Sequence, residues 1–354
     1  CKNTLYSTLL KNFVFPLLQS CTYLNTAYVG PMSTALQNFR AQQEEIYLKE
    51  GDHYKIKAYE DLEHGHAVMA SFFNASRAQT FGVFNFSTGI RWVLDALPKN
   101  YRFLTLEEDY PSLRFAIEER GFSTAALPIS EHLESEIDKQ LSTGAFEVLA
   151  FSMVQYISGY KMDLDFLKKI KEKYPQVLLI TDGTQFLGAH AFDFNNSPID
   201  AVVASGYKWL LAGFGNGIIM LSDGFLKHSL WSAQQFYDKI FTGHFDILAT
   251  ASIRFALQQL EEMDFDQLLK QKASLTSYFK TTLQEHQLLD SRKISQKQDS
   301  SIFSIPGDEK MYQALLDQNI RCAMRGSGIR FSVHFYNQED DIHRLVDFLK
   351  SYKS

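Results

Sequence analysis

Short apolar runs alternate with longer segments of mixed polarity along the first two thirds of the chain. Glycines or polar residues bound each run, as is typical of strands buried in a sheet. The predicted strands are 81–86, 102–106, 125–127, 148–151, 177–180, 201–204 and 218–221. Amphipathic segments before and between them predict helices, among them 54–73, 90–97, 112–119, 129–141 and 164–173. Strands and helices in alternation indicate an α/β fold with a mainly parallel sheet and helices on both faces.

The two ends of the chain have a different pattern. Residues 5–24 are apolar but are interrupted by Lys11 and Pro16, so we expect a packed N-terminal helix and no membrane span. From about Phe241 onward, the pattern predicts helices at 247–263, 265–289 and 339–351, a polar loop at 293–301, and short strands at 302–305, 320–324 and 329–334. We therefore expect an N-terminal segment (1–40), a large domain (41–240) and a smaller α+β domain (241–354).

Composition narrows the class of protein. The chain has 354 residues, of which 45% are hydrophobic and 21% charged, as expected of a globular protein. A net charge of −6 argues against nucleic acid or an anionic membrane as the main partner. The cysteines Cys1, Cys21 and Cys322 are widely spaced, and the histidines form no ligand-spaced set. We therefore expect no disulfide framework, no metal and a reducing, cytoplasmic setting.

Two ionisable residues follow neighbouring predicted strands. Asp182 comes just after 177–180, and Lys208 comes just after 201–204. Open α/β sheets bind ligands at the carboxyl ends of their strands, so a carboxylate and an amine are directed at one crevice. A cofactor with a cationic ring nitrogen and an aldehyde would use both, because the carboxylate keeps the ring protonated and the lysine forms a Schiff base. Taken alone, Asp182 also fits an Asp-Gly turn, and Lys208 fits a helix start.

Hydroxyl groups lie where a phosphate could bind. Ser87 and Thr88 stand between a predicted strand and helix, where backbone N–H groups can bind an anion, although simple helix capping explains them equally well. Ser205 and Tyr207 flank Lys208 with two further hydroxyls.

Three other polar residues complete the set of candidates. Tyr110 could stack on a flat ring, and Gln185 is close enough to Asp182 to donate to a phenolate oxygen. Arg330 could bind a carboxylate through two nitrogens. Each of them alone also fits an ordinary loop or surface residue, and only their order along the chain is specific.

That order closely resembles the class V aminotransferase family, a group of pyridoxal-phosphate enzymes that includes cysteine desulfurases, kynureninase and isopenicillin N epimerase-like proteins. The most specific matches are Thr-Asp-Gly-Thr-Gln at 181–185 and Ser-Gly-Tyr-Lys-Trp at 205–209. Further matches lie at 24–27, 85–89, 107–112, 152–159 and 328–332. The resemblance covers nearly the whole chain.

The resemblance implies a fold and a cofactor. The fold is the pyridoxal-phosphate-dependent transferase fold type I, in which a mainly parallel seven-stranded sheet is joined to a smaller α+β C-terminal domain. The protein would be a homodimer that binds pyridoxal 5′-phosphate and an amino-acid substrate. The N-terminal segment (1–40) would pack on the small domain and line the active site.

The resemblance also assigns roles to residues. Lys208 would carry the cofactor and then act as general base, and Asp182 would hold the pyridine nitrogen protonated. Around the cofactor, Tyr110 would stack on the ring, Gln155 and Gln185 would approach its hydroxyl, and Ser87, Thr88, Ser205 and Tyr207 would hold its phosphate. The substrate would meet Asn25, Thr26, Ala27 and, through its carboxylate, Arg330.

The sequence departs from the family pattern at two positions. Tyr207 stands where many relatives have histidine. His244 lies in the segment where relatives carry a Gly-Thr element that reaches the phosphate of a partner subunit, and we assign it that role.

Cys322 bears on the choice of reaction. Cysteine desulfurases need a cysteine on a mobile loop ahead of the carboxylate-binding arginine, but Cys322 lies only eight positions before Arg330, within a predicted strand. We therefore expect a buried structural thiol and predict an aminotransferase. A cysteine desulfurase, or another lyase or epimerase of the family, is the alternative. A non-catalytic cofactor-binding protein is disfavoured because Asp182 and Lys208 are both present.

Overall fold

The computed structural model describes residues 14–289 and 299–353. Its strands are β1 (Thr22–Tyr23), β2 (Thr80–Val83), β3 (Arg102–Leu106), β4 (Ser123–Leu127), β5 (Val148–Ser152), β6 (Leu178–Asp182), β7 (Ala201–Ser205), β8 (Gly217–Leu221), β9 (Ile302–Pro306), β10 (Ile320–Arg321), β11 (Ala323–Arg325) and β12 (Gly328–Ser332). Short 3₁₀ helices occur at Pro16–Gln19 and Arg77–Gln79.

Helices fill the segments between the strands. They are α1 (Thr34–Glu50), α2 (Asp52–Phe72), α3 (Phe86–Asp95), α4 (Pro111–Glu118), α5 (Leu133–Leu141), α6 (Leu164–Lys173), α7 (Asp223–His228), α8 (Ala233–Ile240), α9 (Ile247–Glu262), α10 (Phe265–Glu285), α11 (Glu309–Asp317) and α12 (Glu339–Lys353). None of the helices in the described ranges is both long and apolar enough to cross a membrane.

The large sheet has seven strands in the order β2-β8-β7-β6-β5-β3-β4. All neighbours from β7 to β4 pair in parallel, whereas β8 runs antiparallel to β2 and to β7. This architecture confirms the predicted α/β fold with a mainly parallel, seven-stranded sheet. It also places the ends of β5, β6 and β7 side by side at one edge, which is where the candidate residues lie.

Helices cover both faces of the large sheet, which explains the unbroken apolar runs in its strands. Every residue of β5, β6, β7 and β8 is buried. Side chains alternate between two cores, so that Leu149 and Leu179 pack on one face, whereas Val148 and Leu178 pack on the other. A strand with cores on both sides needs apolar residues at every position, and this requirement makes the runs visible in the sequence.

Two predicted strands differ from the structure. The strand predicted at 81–86 ends at Val83, because the side chain of Asn85 accepts a hydrogen bond from the N–H of Thr88 at 2.9 Å and starts α3. The strand predicted at 320–324 is divided at Cys322 into β10, which pairs with β1, and β11, which pairs with β12. Of the helix predicted over 5–24, residues 5–13 lie outside the described residues. Residues 14–24 contain only the 3₁₀ helix at Pro16–Gln19 and strand β1, so the prediction of a longer helix is wrong there. Most of the predicted loop at 293–301 also lies outside the described residues.

A three-stranded antiparallel sheet, β11-β12-β9, forms the centre of the C-terminal part. Its apolar face packs with α10 and α12 around Phe303, Ile329 and Phe331. The N-terminal segment reaches this part, since β1 pairs with β10 and Leu24 lies in the same core. Helix α9 instead packs on α1 and α2. The domain boundaries at residues 40 and 240 remain predictions.

Candidate active site

A cavity of about 180 Å³ lies at the carboxyl edge of the large sheet. Ser152, Asp182 and Ser205, which line it, are the last residues of β5, β6 and β7. The other lining residues come from loops at the same edge: Asn85, Phe86, Ser87, Tyr110, Tyr156, Thr184, Gln185, Tyr207 and Lys208. The cavity therefore lies where an open α/β sheet is expected to bind a ligand.

Asp182 and Lys208 are both buried in this cavity, with exposed fractions of 5% and 8%. The N–H of Thr184 donates to the Asp182 carboxylate at 2.8 Å and fixes its orientation. Burial raises the pKa of Asp182 and lowers the pKa of Lys208, and each charge partly offsets the effect of burial on the other. The structure thus brings together the acid and the amine that the sequence placed at the ends of neighbouring strands.

One end of the cavity is suited to an anion. It contains the first turn of α3, where the helix dipole concentrates positive potential. Ser87 lines this end, and the Oγ of Ser205 accepts a hydrogen bond from the N–H of Phe86 at 2.8 Å. Burial raises the pKa of Tyr207 to about 12, so its hydroxyl remains a donor at neutral pH.

Thr88 does not line the cavity, contrary to its assignment as a phosphate ligand. Its backbone N–H and its hydroxyl both donate to the side chain of Asn85, at 2.9 and 3.2 Å. Thr88 thus caps the start of α3 together with Asn85. Of the two hydroxyl residues assigned to the phosphate at this turn, only Ser87 lines the cavity.

Tyr110 lines the cavity and is held from two sides. Its ring makes edge-to-face contacts with Phe86 and Tyr156, at centroid distances of 5.9 and 5.5 Å. Its N–H donates to the carboxylate of buried Asp109 at 2.6 Å, and the same carboxylate accepts the N–H of Ser152 at 2.8 Å. Asp109 therefore positions two residues of the cavity wall.

The two glutamines differ in their surroundings. Gln185 lines the cavity, where its Nε2 donates to the carbonyl of Ala27 at 2.8 Å and its Oε1 accepts from the indole of Trp209 at 2.7 Å. Gln155 does not line the cavity, because its Oε1 accepts the N–H groups of Ile157 and Ser158 at 2.7 and 2.6 Å. Gln155 therefore braces its own loop.

Arg330 is buried to 2% exposure on β12, close to the cavity wall. Its Nη1 donates to the carbonyl of Tyr156 at 2.5 Å, whereas its Nη2 has no hydrogen-bond partner within the described ranges. Burial and the charge of Arg325 lower the pKa of Arg330 to about 10, so the group stays protonated at neutral pH. A buried cationic donor without an acceptor is costly, and a carboxylate from a ligand would satisfy it.

The N-terminal residues assigned to the substrate join the N-terminal segment to the small sheet and do not line this cavity. The side chain of Asn25 donates to the carbonyl of Cys322 at 3.1 Å, and the N–H of Ala27 donates to the Oγ of Ser332 at 3.0 Å. Thr26 is hydrogen-bonded to the hydroxyl of Tyr336. Their contact with a substrate remains a prediction.

His244 is exposed and lies outside the cavity of its own chain. Its Nδ1 is 3.0 Å from the hydroxyl of Tyr59, and its Nε2 is 3.5 Å from the amine of Lys55. Contact of His244 with the phosphate of a partner subunit remains a prediction.

Cys322 is 2% exposed in the core of the small sheet, and burial raises the pKa of its thiol to about 12. It is therefore a buried thiol, as the sequence predicts. Within the described part of the chain, no group of His, Cys, Asp and Glu residues is arranged to hold a metal ion.

Several residues of the site were not singled out from the sequence. Ser152 and Tyr156 lie inside a matched segment, at 152–159, from which only Gln155 was chosen. Thr184 lies between Asp182 and Gln185 in the same way. A hydroxyl at the carboxyl end of a buried strand is the signal that could have identified Ser152.

The residues present fit pyridoxal phosphate. Asp182 can accept a hydrogen bond from a protonated ring nitrogen, and the start of α3 with Ser87 can bind a phosphate. Lys208 offers an amine with a lowered pKa, and Tyr110 offers an aromatic face. The unpartnered nitrogen of Arg330 fits the carboxylate of an amino acid.

Comparison with known proteins agrees with this fit. The family model described as Aminotransferase class-V matches residues 31–345. No curated protein matches the chain. Solved structures share its fold at 14–16% sequence identity. They include a mutant of C-DES with glycine covalently linked to its pyridoxal-phosphate cofactor (TM-score 0.85, 15% identity, covering 94% of this chain and 97% of that one).

Two cysteine desulfurases are similar as well. The apo enzyme of Thermococcus onnurineus NA1 has a TM-score of 0.82 and 14% identity, covering 98% of this chain and 97% of that one. CsdA of Escherichia coli has a TM-score of 0.78 and 16% identity, covering 98% of both chains. The family match extends over most of the chain, and the chain therefore belongs to the class-V aminotransferase family of pyridoxal-phosphate-dependent enzymes, with fold type I.

Proposed function

We propose that this protein is an aminotransferase that uses pyridoxal phosphate to move the amino group of an α-amino acid to a keto acid. The observation that carries the proposal is the pair of Asp182 and Lys208, buried in one cavity at the ends of adjacent parallel strands. Pyridoxal phosphate, when bound, supplies an aldehyde that condenses with amines and a ring that accepts electrons from Cα.

Asp182 holds a proton at the pyridine nitrogen. Its carboxylate is fixed by the N–H of Thr184 at 2.8 Å, so it enters the site already oriented. Burial makes an unpaired carboxylate costly, which raises the pKa of Asp182, and a cationic ring beside it would remove that cost. The same interaction keeps the ring nitrogen charged and therefore able to accept electrons.

Lys208 accepts the proton that leaves Cα of the substrate. Burial lowers the pKa of Lys208, and the positive charges of Arg330 and Arg325 lower it further, so a neutral amine is available near neutral pH. The amine lies 5.8 Å from the centre of the Tyr110 ring and 5.6 Å from that of the Tyr207 ring. The two rings flank the amine, which is buried in the cavity wall.

Arg330 binds the α-carboxylate and thereby orients the substrate. Its Nη1 donates to the carbonyl of Tyr156, and its Nη2, which has no partner within the described ranges, can donate to an oxygen of the ligand. Because the guanidinium is buried and held at Nη1, little conformational freedom is lost when the substrate binds.

The buried thiol of Cys322 disfavours a desulfurase that passes sulfur to its own cysteine. Such an enzyme needs a thiolate that can move to the substrate, but Cys322 is enclosed in the small-sheet core with its pKa raised to about 12. A carbon–sulfur lyase is the second candidate, because elimination requires the lysine base but no protein thiol. C-DES, which shares this fold, is named as a cystine C–S lyase.

We further propose that the enzyme is a cytoplasmic homodimer. The exposed position of His244, away from the cavity of its own chain, supports a role towards a partner subunit. Cys21 and Cys322 are both free thiols, which supports a reducing compartment. The mass of the holoenzyme in solution tests the homodimer, and a His244→Ala variant tests the contact.

The experiment mixes the reconstituted holoenzyme with a panel of amino acids, without keto acid. Transamination should convert the aldehyde form of the cofactor into the amine form, with one keto acid released per site. Catalytic release of pyruvate and ammonia would instead identify the lyase. Asp182→Asn and Lys208→Ala should each lower the rate by about a hundredfold or more. The proposal fails if no amino acid changes the cofactor spectrum, or if Lys208→Ala retains colour that borohydride fixes to the protein.

A further inference from the structure

The small sheet has one apolar and one polar face, and two arginines share the polar face. In the register of the hairpin, Arg325 on β11 lies opposite Gly328, and Ala323 lies opposite Arg330 on β12. Directly opposed residues point to the same face of a sheet, so Arg325 and Arg330 are diagonal neighbours on one face. Their backbones are about 7–8 Å apart in such an arrangement, within reach of long side chains.

Arg325 lies near the cavity, close enough for its charge to act on the lining residues Tyr156 and Lys208. Its guanidinium lies 4.8 Å from the ring centre of Tyr28, an exposed residue of the N-terminal segment. The turn after Arg325 touches the loop that carries Tyr156, because a side chain at Gly326 would come within 3.1 Å of Ile157. Burial lowers the pKa of Lys208 and of Arg330, and the positive charge of Arg325 lowers both further. Burial raises the pKa of Tyr156, and the charge of Arg325 partly offsets that rise.

No anion within the described ranges neutralises Arg325. Its Nη1 donates to the carbonyl of Met324 at 2.7 Å, and it forms no ion pair with a carboxylate there. Half-buried beside two other cations, a guanidinium raises the electrostatic energy of the empty site. An anionic ligand would remove this cost.

The phosphate of the cofactor and the α-carboxylate of the substrate both have binding groups other than Arg325. A phosphate fits the start of α3, and the α-carboxylate of a substrate fits the free nitrogen of Arg330. Building on the proposed function, we infer that Arg325, with Tyr28 behind it, binds a second acidic group on the side chain of the substrate. The substrate is then an amino acid with an anionic side chain, such as a dicarboxylic amino acid.

The test compares two unreactive ligands of the holoenzyme. Succinate carries two carboxylates and propionate carries one, and calorimetry measures the affinity of each without catalysis. Arg325→Gln should weaken succinate binding by about tenfold or more and leave propionate binding within about twofold. Arg325→Lys should retain part of the preference, since it keeps the charge but loses the planar fork. Arg321→Gln, at an exposed position on β10, is the matched control and should change neither affinity.

Kinetics provide a second measurement. Arg325→Gln should lower the ratio of kcat/KM for L-aspartate or L-glutamate to that for L-alanine by a similar factor, and this ratio cancels any change in the pKa of Lys208, which acts on all substrates alike. Equal losses for succinate and propionate, or no loss for either, would overturn the inference and reduce Arg325 to a brace for Tyr28. Circular dichroism and the Tm of each variant report whether it has folded, and Arg325→Lys supplies the comparison if Arg325→Gln has not.

The inference and the proposed function can fail separately. If the holoenzyme exchanges amino groups but Arg325→Gln does not discriminate between ligands, only the second anion site is wrong. If succinate binding depends on Arg325 but no amino acid changes the cofactor spectrum, the anion site stands and the proposed reaction is wrong.

Discussion

Replacing Cys322 with alanine separates the aminotransferase and lyase from a desulfurase that uses its own thiol. The side chain is 2% exposed among apolar residues of the small-sheet core. Alanine is the suitable replacement, because serine would bury a hydroxyl group without a partner at a cost of about 1–3 kcal/mol. Removing the sulfur atom should cost on the order of 1 kcal/mol of unfolding free energy.

The pKa of the Cys322 thiol determines how slowly it should react with an alkylating reagent. Burial raises it from 9.0 to about 12, which lowers the thiolate fraction near neutral pH by about a thousandfold. The thiolate is the nucleophile in alkylation and in persulfide formation. Cys322 in the folded protein should therefore react with iodoacetamide at least about a thousandfold more slowly than in urea, since enclosure adds to the effect of ionisation.

The assay follows the Cys322 peptide by mass spectrometry, because Cys1 and Cys21 also carry thiols. In parallel, amino-group exchange and sulfur release from L-cysteine are measured for Cys322→Ala. We expect both rates to stay within about twofold of those of the wild type. Lys208→Ala is the control that should abolish both.

Two results would refute this reasoning. One is rapid alkylation of Cys322 in the folded protein, slowed by added substrate. The other is a loss of sulfur release in Cys322→Ala by about a hundredfold, with an intact cofactor spectrum. Either result would mean that the thiol reaches the substrate and that the desulfurase alternative is correct.

Two further predictions concern the surroundings of Lys208 and a buried lysine. In Gly30→Ala the new Cβ would lie 2.2 Å from the carbonyl oxygen of Lys208, so the backbone at Lys208 would have to shift. The affinity for the cofactor, measured by fluorescence titration, should therefore fall by about tenfold or more. Gly65→Ala is the control and should not change this affinity, because its new Cβ would have no atom within 4 Å. Burial lowers the pKa of Lys272 from 10.5 to about 7, so between these two pH values the unfolded chain binds more protons than the folded protein. The free energy of unfolding, measured in urea, should therefore rise by a few kcal/mol from about pH 7 to 10, relative to that of Lys272→Met. A difference between the two proteins that stays constant over this pH range would contradict the prediction.

The strands of the large sheet were predictable because their burial is symmetrical. Helices on both faces require apolar residues at every position of β5 to β8, and such runs stand out in a sequence. The positions of Asp182 and Lys208 followed from the same pattern, because the carboxyl ends of parallel strands share one edge. Sequence reasoning therefore found the two residues on which the proposed chemistry depends.

Local hydrogen bonding was less predictable. Thr88 and Gln155 lie in segments that match the family, but the capping of α3 and the bracing of the 152–160 loop occupy their side chains. Asp109, in contrast, has a structural role that the sequence did not indicate. Its contacts with Ser152 join residues 43 positions apart, and no spacing in the sequence indicates them.

The sequence by itself determined the order of strands and helices, the family, and the acid and amine at the sheet edge. These features depend on hydrophobic periodicity and on motifs within a few residues, which the chain carries locally. The tertiary structure alone decided that Arg325 faces the same side as Arg330, because that depends on the register between β11 and β12. It also decided that Arg325 forms no ion pair with a carboxylate of residues 14–289 or 299–353, since charges from distant segments meet only after folding.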